Sequence, residues 1–213
     1  MRTTLAAVTS RARVVVLAGP SGTGKSRLAA RLAATHGWPV VRLDDFYRDA
    51  DDPQLPALAS GLTDWDDPRS WHADAAMAAL GELVDTGRTL VPTYDIGLSR
   101  ATGTRELTCP PGVPILAEGI FADEIVPALR SEGLLLRAYC VAYPRLVTFA
   151  LRLARDLREH RKPPAVLLRR GVMLWRREPE VVARAVAAGA TRRRPKQVEA
   201  ELTRDQPGMP SSA

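Results

Sequence analysis

With 213 residues, 46% of them hydrophobic, the chain is long enough to bury a core of its own, and residues 1–205 read as one globular domain. It has no run of 18 apolar residues, which excludes a membrane-spanning helix, and Met1–Arg13 lacks the apolar core and cleavage site of an export signal. The net charge of +6 invites a nucleic-acid partner, but there is no aromatic–basic interleaving, helix-turn-helix pattern or zinc spacing to support one.

The first apolar run, Val14–Ala18, predicts a buried strand. It leads into Gly19-Pro20-Ser21-Gly22-Thr23-Gly24-Lys25-Ser26, a complete G-x-x-x-x-G-K-[ST] loop, and a helical pattern follows over Arg27–Ala34. Strand, glycine loop and helix in this order form a phosphate site. Backbone N–H groups of Gly19, Ser21, Gly22, Thr23 and Gly24 can surround phosphate oxygens, and the helix N-terminus adds positive charge. Lys25 can reach the terminal phosphates, and the Ser26 hydroxyl can ligate Mg²⁺, so ATP and Mg²⁺ are the expected cofactors.

Val40–Leu43 predicts a second strand that ends at Asp44, 19 residues after Lys25. A carboxylate there can take a proton from a substrate hydroxyl or hold Mg²⁺ through water. Residues 47–70 are rich in Asp, Pro and Gly and read as irregular, Ala73–Val84 has helical spacing, and Leu90–Tyr94 with Thr104–Thr108 reads as a side hairpin. Pro114–Ala117 is a buried-strand signal ending at Glu118, a carboxylate placed to orient a metal or its waters. Leu134–Val141 predicts another strand, and Val147–His160 a helix. On that helix and just past its end, Arg152, Arg155, Glu159 and Lys162 fall in a stripe about 80° wide, suited to a lid over phosphates or to a solvated arginine face paired with Asp156 and Glu159. Val166–Arg177 reads as a further helix, Val181–Ala187 as a last strand or a helix, and Gln206–Ala213 as a disordered tail. The basic run Thr191–Lys196 is either plain surface or lies near the adenine of ATP.

Strands alternating with helical segments predict an α/β fold with a mainly parallel sheet, a P-loop NTPase three-layer sandwich with a side hairpin and a helical lid. Ligands then sit at the carboxyl ends of the strands, where Gly19, Asp44 and Glu118 fall. Charge is divided to match: residues 141–204 hold 16 Lys/Arg against 6 Asp/Glu, whereas residues 41–70 hold 8 Asp against 3 Arg. A basic half facing an acidic patch suits a polyphosphate with Mg²⁺. Cys109 and Cys140, without metal-type spacing, suggest a reducing, cytoplasmic setting.

In order along the chain, Gly19–Ser26, Asp44-Asp45-Phe46-Tyr47, Trp65-Asp66-Asp67-Pro68, Pro92-Thr93-Tyr94-Asp95 with Arg100, Glu118-Gly119-Ile120 and Arg152-x-x-Arg155-Asp156 resemble the uridine kinases, relatives of phosphoribulokinases and type I pantothenate kinases. The resemblance implies that Asp44 is the catalytic base, that Tyr47, Asp66, Tyr94 and Arg100 meet the acceptor, and that Ser26 and Glu118 serve Mg²⁺. It also implies that Arg152 and Arg155 are lid residues touching acceptor and phosphates. The implied acceptor is a nucleoside; a homo-oligomer is left open, and neither membrane nor nucleic acid is an expected partner. Two departures stand out: after Asp95 the segment Ile96-Gly97-Leu98-Ser99 has no aromatic residue and no His to read a pyrimidine, and His160-Arg161-Lys162 lacks the lid glycine. These keep open a non-nucleoside acceptor on the same fold. A non-catalytic nucleotide-binding module is the alternative of another class.

Overall fold

Strand β1 (Val14–Ala18) is fully buried because both its faces are covered. Val14, Val16 and Ala18 enter one apolar cluster, and Val15 with Leu17 enters the other. A computed structural model describes residues 11–58, 61–150 and 164–204, with side chains of 164–174 not included. Among these residues, five parallel strands form one sheet in the order β2-β5-β1-β6-β7. They are β1, β2 (Val40–Arg42), β5 (Ile115–Glu118), β6 (Leu135–Val141) and β7 (Thr191–Arg193). Helix α1 (Lys25–His36) and helix α5 (Pro195–Arg204) cover one face through Leu28, Leu32, Val198 and Leu202. Helix α2 (Ala73–Thr86), helix α3 (Val126–Ser131) and the end of helix α4 (Pro164–Ala187) cover the other through Leu80, Leu83, Leu129 and Ala185. Strands β3 (Arg88–Asp95) and β4 (Arg100–Thr108) form a separate antiparallel hairpin. The predicted α/β sandwich with a side hairpin is therefore the fold observed.

Three expectations change. The second strand stops at Arg42, and Leu43–Phe46 tighten into a 3₁₀ turn, so Asp44 sits on a turn and not on a strand end. Val166–Arg177 and Val181–Ala187 belong to one helix, α4, which runs through Pro179. The last strand is instead Thr191–Arg193, whose main chain pairs with β6 while its first two side chains are exposed. A three-residue polar edge strand carries too little apolar pattern to be read in advance. The basic run is thus sheet edge and helix start, and β7 ends beside the end of β6, where Ala142 N–H donates to Arg193 O at 3.0 Å. Residues 145–150 are helical, but Arg152, Arg155, Glu159, Lys162 and the 206–213 tail lie outside the described residues. Among the described residues no helix is long and apolar enough to cross a membrane.

Candidate active site

The loop between β1 and α1 is built on a close approach. Gly19 has φ +124°, and a Cβ there would lie 2.6 Å from the carbonyl oxygen of Val141 at the end of β6. Only glycine permits that conformation and that contact together. Lys25 is buried, and its Nζ donates to the carbonyl oxygens of Gly19 at 2.7 Å and Pro20 at 3.0 Å. Thr23 Oγ1 donates to Pro20 O at 2.9 Å, which closes the loop on itself. The P-loop therefore stands preformed, with its lysine at the mouth.

Strand pairing brings the acidic partners to this loop. Leu17 of β1 pairs with Glu118 of β5, and Glu118 pairs with Arg42 of β2. Ser26 Oγ donates to Glu118 Oε2 at 3.0 Å, so the two predicted Mg²⁺ residues touch. Glu118 is only 4% exposed. Burial pushes its carboxyl above the usual range, the Asp44 charge adds to this, and Lys25, the Ser26 hydrogen bond and Arg42 oppose it. A carboxylate crowded by burial and a second acid beside a serine hydroxyl is a donor set suited to a divalent cation. Among the described residues no group of three or more His, Cys, Asp or Glu could hold a metal alone. A Mg²⁺ arriving with nucleotide phosphates needs only one or two protein oxygens, and Ser26 and Glu118 fit that demand.

Asp44 faces the same space. Its Oδ1 accepts the Ile120 N–H at 3.0 Å, just past Glu118. The neighbouring Asp45 turns the other way: it is buried, with Arg42 and Arg105 each 3.9 Å away. Burial raises the Asp45 carboxyl, and those two arginines pull against the rise.

Beyond Asp44 an aromatic wall is centred on Tyr47. Its ring lies 5.9 Å from Trp65, 6.0 Å from Tyr94 and 5.9 Å from Phe121. Burial, followed by the charges of Asp44 and Asp66, pushes the Tyr47 hydroxyl well above its ordinary value. Both carboxylates are thus electrostatic neighbours of one ring. Tyr94 supports the wall from the hairpin by donating its hydroxyl to Arg48 O at 2.9 Å. Asp66 stands at the rim with Arg177 of α4, at 3.7 Å. Arg100 does not join them. It pairs with Asp95 at the exposed hairpin end, and no hydrogen bond or ion pair among the described residues ties its side chain to Asp44, Tyr47 or Asp66. An open cleft of about 540 Å³ lies on the Asp45 side, lined by His72, Leu90 and Pro92, and shares only Tyr47 with this site.

Some site residues were not evident from sequence. Ile120 acts through its main chain, and Phe121 contributes one of few aromatic rings. Asp123, 1% exposed, holds Arg184 of α4 and so ties the loop after β5 to the helix that follows the predicted lid. Its place five residues after a buried strand could have flagged Asp123, but nothing in the sequence indicates its partner.

Comparison with one solved structure agrees with this architecture. Residues 12–49 match the isopentenyl transferase family, a stretch that holds β1, the P-loop, α1, β2 and Asp44. A Silicibacter protein assigned as a fructose transport system kinase superposes with TM-score 0.56 at 22% identity, over 84% of this chain and 85% of its own. A Bacillus stearothermophilus protein put forward as a uridine kinase gives 0.47 at 19% identity, over 64% and 74%. D-glycerate 3-kinase from Cryptococcus neoformans gives 0.49 at 15% identity, over 80% and 78%. The first of these superpositions shows a shared fold, an α/β sandwich with a mainly parallel sheet.

Proposed function

We propose that the protein is an ATP- and Mg²⁺-dependent kinase that transfers the γ-phosphoryl group to a hydroxyl of a small molecule, a nucleoside in the first reading. The observation that carries this is the meeting of three elements at the carboxyl end of the strands: the P-loop with Ser26, Glu118 bonded to that serine, and Asp44 beside Glu118. Mg·ATP would supply the phosphoryl group and neutralise the charge that develops on its oxygens. The P-loop amides and Lys25 would hold the phosphates, Ser26 and Glu118 would hold the metal, and Asp44 would take the acceptor hydroxyl proton. Tyr47, Trp65 and Tyr94 would give the acceptor a wall of mutually inclined aromatic rings, and Asp66 at the rim can accept hydrogen bonds from sugar hydroxyls. Arg152 and Arg155 would close over the phosphates and exclude water, which lowers hydrolysis of ATP.

A second reading, a non-nucleoside acceptor on the same site, is favoured by the hairpin turn. Ile96 and Leu98 there are 70% and 62% exposed and offer no hydrogen-bonding side chain to a base. Initial rates of ADP formation with uridine, cytidine, D-fructose and pantothenate separate the readings. Robust uridine or cytidine turnover supports the nucleoside; turnover of only D-fructose or pantothenate supports the second reading; ADP formation that no acceptor stimulates contradicts both.

A further inference from the structure

β2 and β5 pair in register as far as Arg42 and Glu118, and then both chains leave the sheet. They do not separate. The next contact is made by a side chain, since Ile120 N–H donates to Asp44 Oδ1 at 3.0 Å. The approach is very close at Gly119. A Cβ on this residue would stand 2.8 Å from Leu43 Cβ and 2.9 Å from Asp44 Oδ1. Here the need for glycine is one of space, because the two turns leave no room for a methyl group between them.

The segment that makes this contact is held at both ends. Before it, Glu118 is fixed in the sheet and bonded to Ser26. After it, the Phe121 ring packs on Tyr47 and on Trp71, and Asp123 is buried against Arg184. Its amide is therefore a fixed donor. With Oδ1 engaged, Oδ2 of Asp44 has no hydrogen-bond partner among the described residues.

We propose that the Gly119–Ile120 peptide is a positioning element for the base: it holds Asp44 by Oδ1 and so presents Oδ2 to the acceptor hydroxyl. This rests on the kinase reading given above. In the step, the acceptor oxygen bonds to the γ-phosphorus, the bond from phosphorus to the ADP oxygen breaks with its electron pair leaving on ADP, and the hydroxyl proton moves to Oδ2. Because the donor is a main-chain amide, the carboxylate can be oriented without a second titrating side chain. A displacement of the base by about 1 Å is enough to cost about 100-fold in rate.

The test is a double-mutant cycle between Gly119→Ala and Asp44→Asn, measured on the full chain as ADP formation from Mg·ATP. The acceptor is uridine, D-fructose or pantothenate, and water where none of these turns over. Gly119→Ala is expected to lower kcat about 10- to 100-fold while KM for ATP changes by less than about twofold. In the Asp44→Asn background the same change should lower the residual rate by less than about twofold. An equal loss in both backgrounds would overturn the proposal, since Gly119 would then act without the base. If Asp44→Asn alone keeps the full rate, the base assignment itself fails, and that result is separate. A measurement independent of the Gly119 variant is the amide resonance of Ile120. Asp44→Asn should shift it upfield as the charge-assisted bond weakens, and an unmoved resonance contradicts the contact.

Discussion

Gly19→Ala tests the construction of the phosphate loop. The added methyl carbon would meet Val141 O at 2.6 Å, Val141 N at 3.1 Å and Val141 C at 3.3 Å, all of them main-chain atoms of the neighbouring strand. Heavy atoms pack well at about 3.5 Å, so the overlap with the oxygen is about 0.9 Å and no flexible side chain can relieve it. Overpacking of this kind costs about 1–3 kcal/mol, and holding a non-glycine residue near φ +124° costs a further 1–3 kcal/mol or so. With a combined loss of about 4 kcal/mol, a chain of this size should lose roughly 8–16 °C in Tm. If the loop moves instead to relieve the overlap, kcat/KM for ATP should fall about 100-fold. Differential scanning calorimetry without nucleotide and ATP kinetics at saturating acceptor read the two effects. A variant that melts within about 2 °C of the wild type and keeps its kcat/KM for ATP would refute the packing argument.

Glu118→Gln separates stability from function. The folded-state pKa of Glu118 lies above its ordinary 4.5, so the native state holds that proton more tightly than the unfolded chain does. The stability it contributes is present below pH 4.5 or so and is lost as pH rises through the folded-state value. At pH 7 the nucleotide-free Gln variant should therefore melt above the wild type, while Mg²⁺-dependent turnover falls by about 100-fold or more; pH-dependent melting curves and turnover assays check both. Ser26→Ala should raise the Mg²⁺ concentration needed for half-maximal rate and leave the nucleotide-free Tm within about 2 °C, because its hydroxyl is only part-buried. Asp123→Ala should cost about 2 kcal/mol, or about 4–8 °C in Tm. Arg184 is 39% exposed and retains Glu124 at 3.5 Å, which limits the penalty; urea unfolding at pH 7 measures it.

Much of the fold was legible because the sheet writes itself in apolar runs. Val14–Ala18 and Ile115–Glu118 are buried throughout, and each is flanked by a glycine, proline or charged residue, while β6 is buried over Ala138–Val141. β7 was not legible, since an edge strand of Thr and two Arg satisfies its main chain without an apolar side chain. Pro179 disguised the continuity of α4. Proline removes one helical N–H donor, a local penalty that packing of Ala185 and the Arg184–Asp123 pair overcomes. At the site, Ser26, Asp44 and Glu118 were readable because each follows a strand or opens a helix at the same end of the sheet. The Ile120 amide and the Asp66–Arg177 pair were not, because a main-chain donor has no residue type and an ion pair between distant segments has no spacing. Arg100 was placed in the acceptor set by the order of motifs, whereas the hairpin puts it at an exposed end, opposite Asp95.

The most direct test follows ³¹P resonances of Mg·ATP incubated with each acceptor and compares the wild type with Asp44→Asn. The wild type should convert ATP to ADP and a new phosphomonoester, and Asp44→Asn should bind an ATP analogue normally but form that ester about 10²- to 10⁴-fold more slowly. Inorganic phosphate as the only new product with every acceptor, or an undiminished rate in Asp44→Asn, would contradict a phosphoryl transfer in which Asp44 is the base.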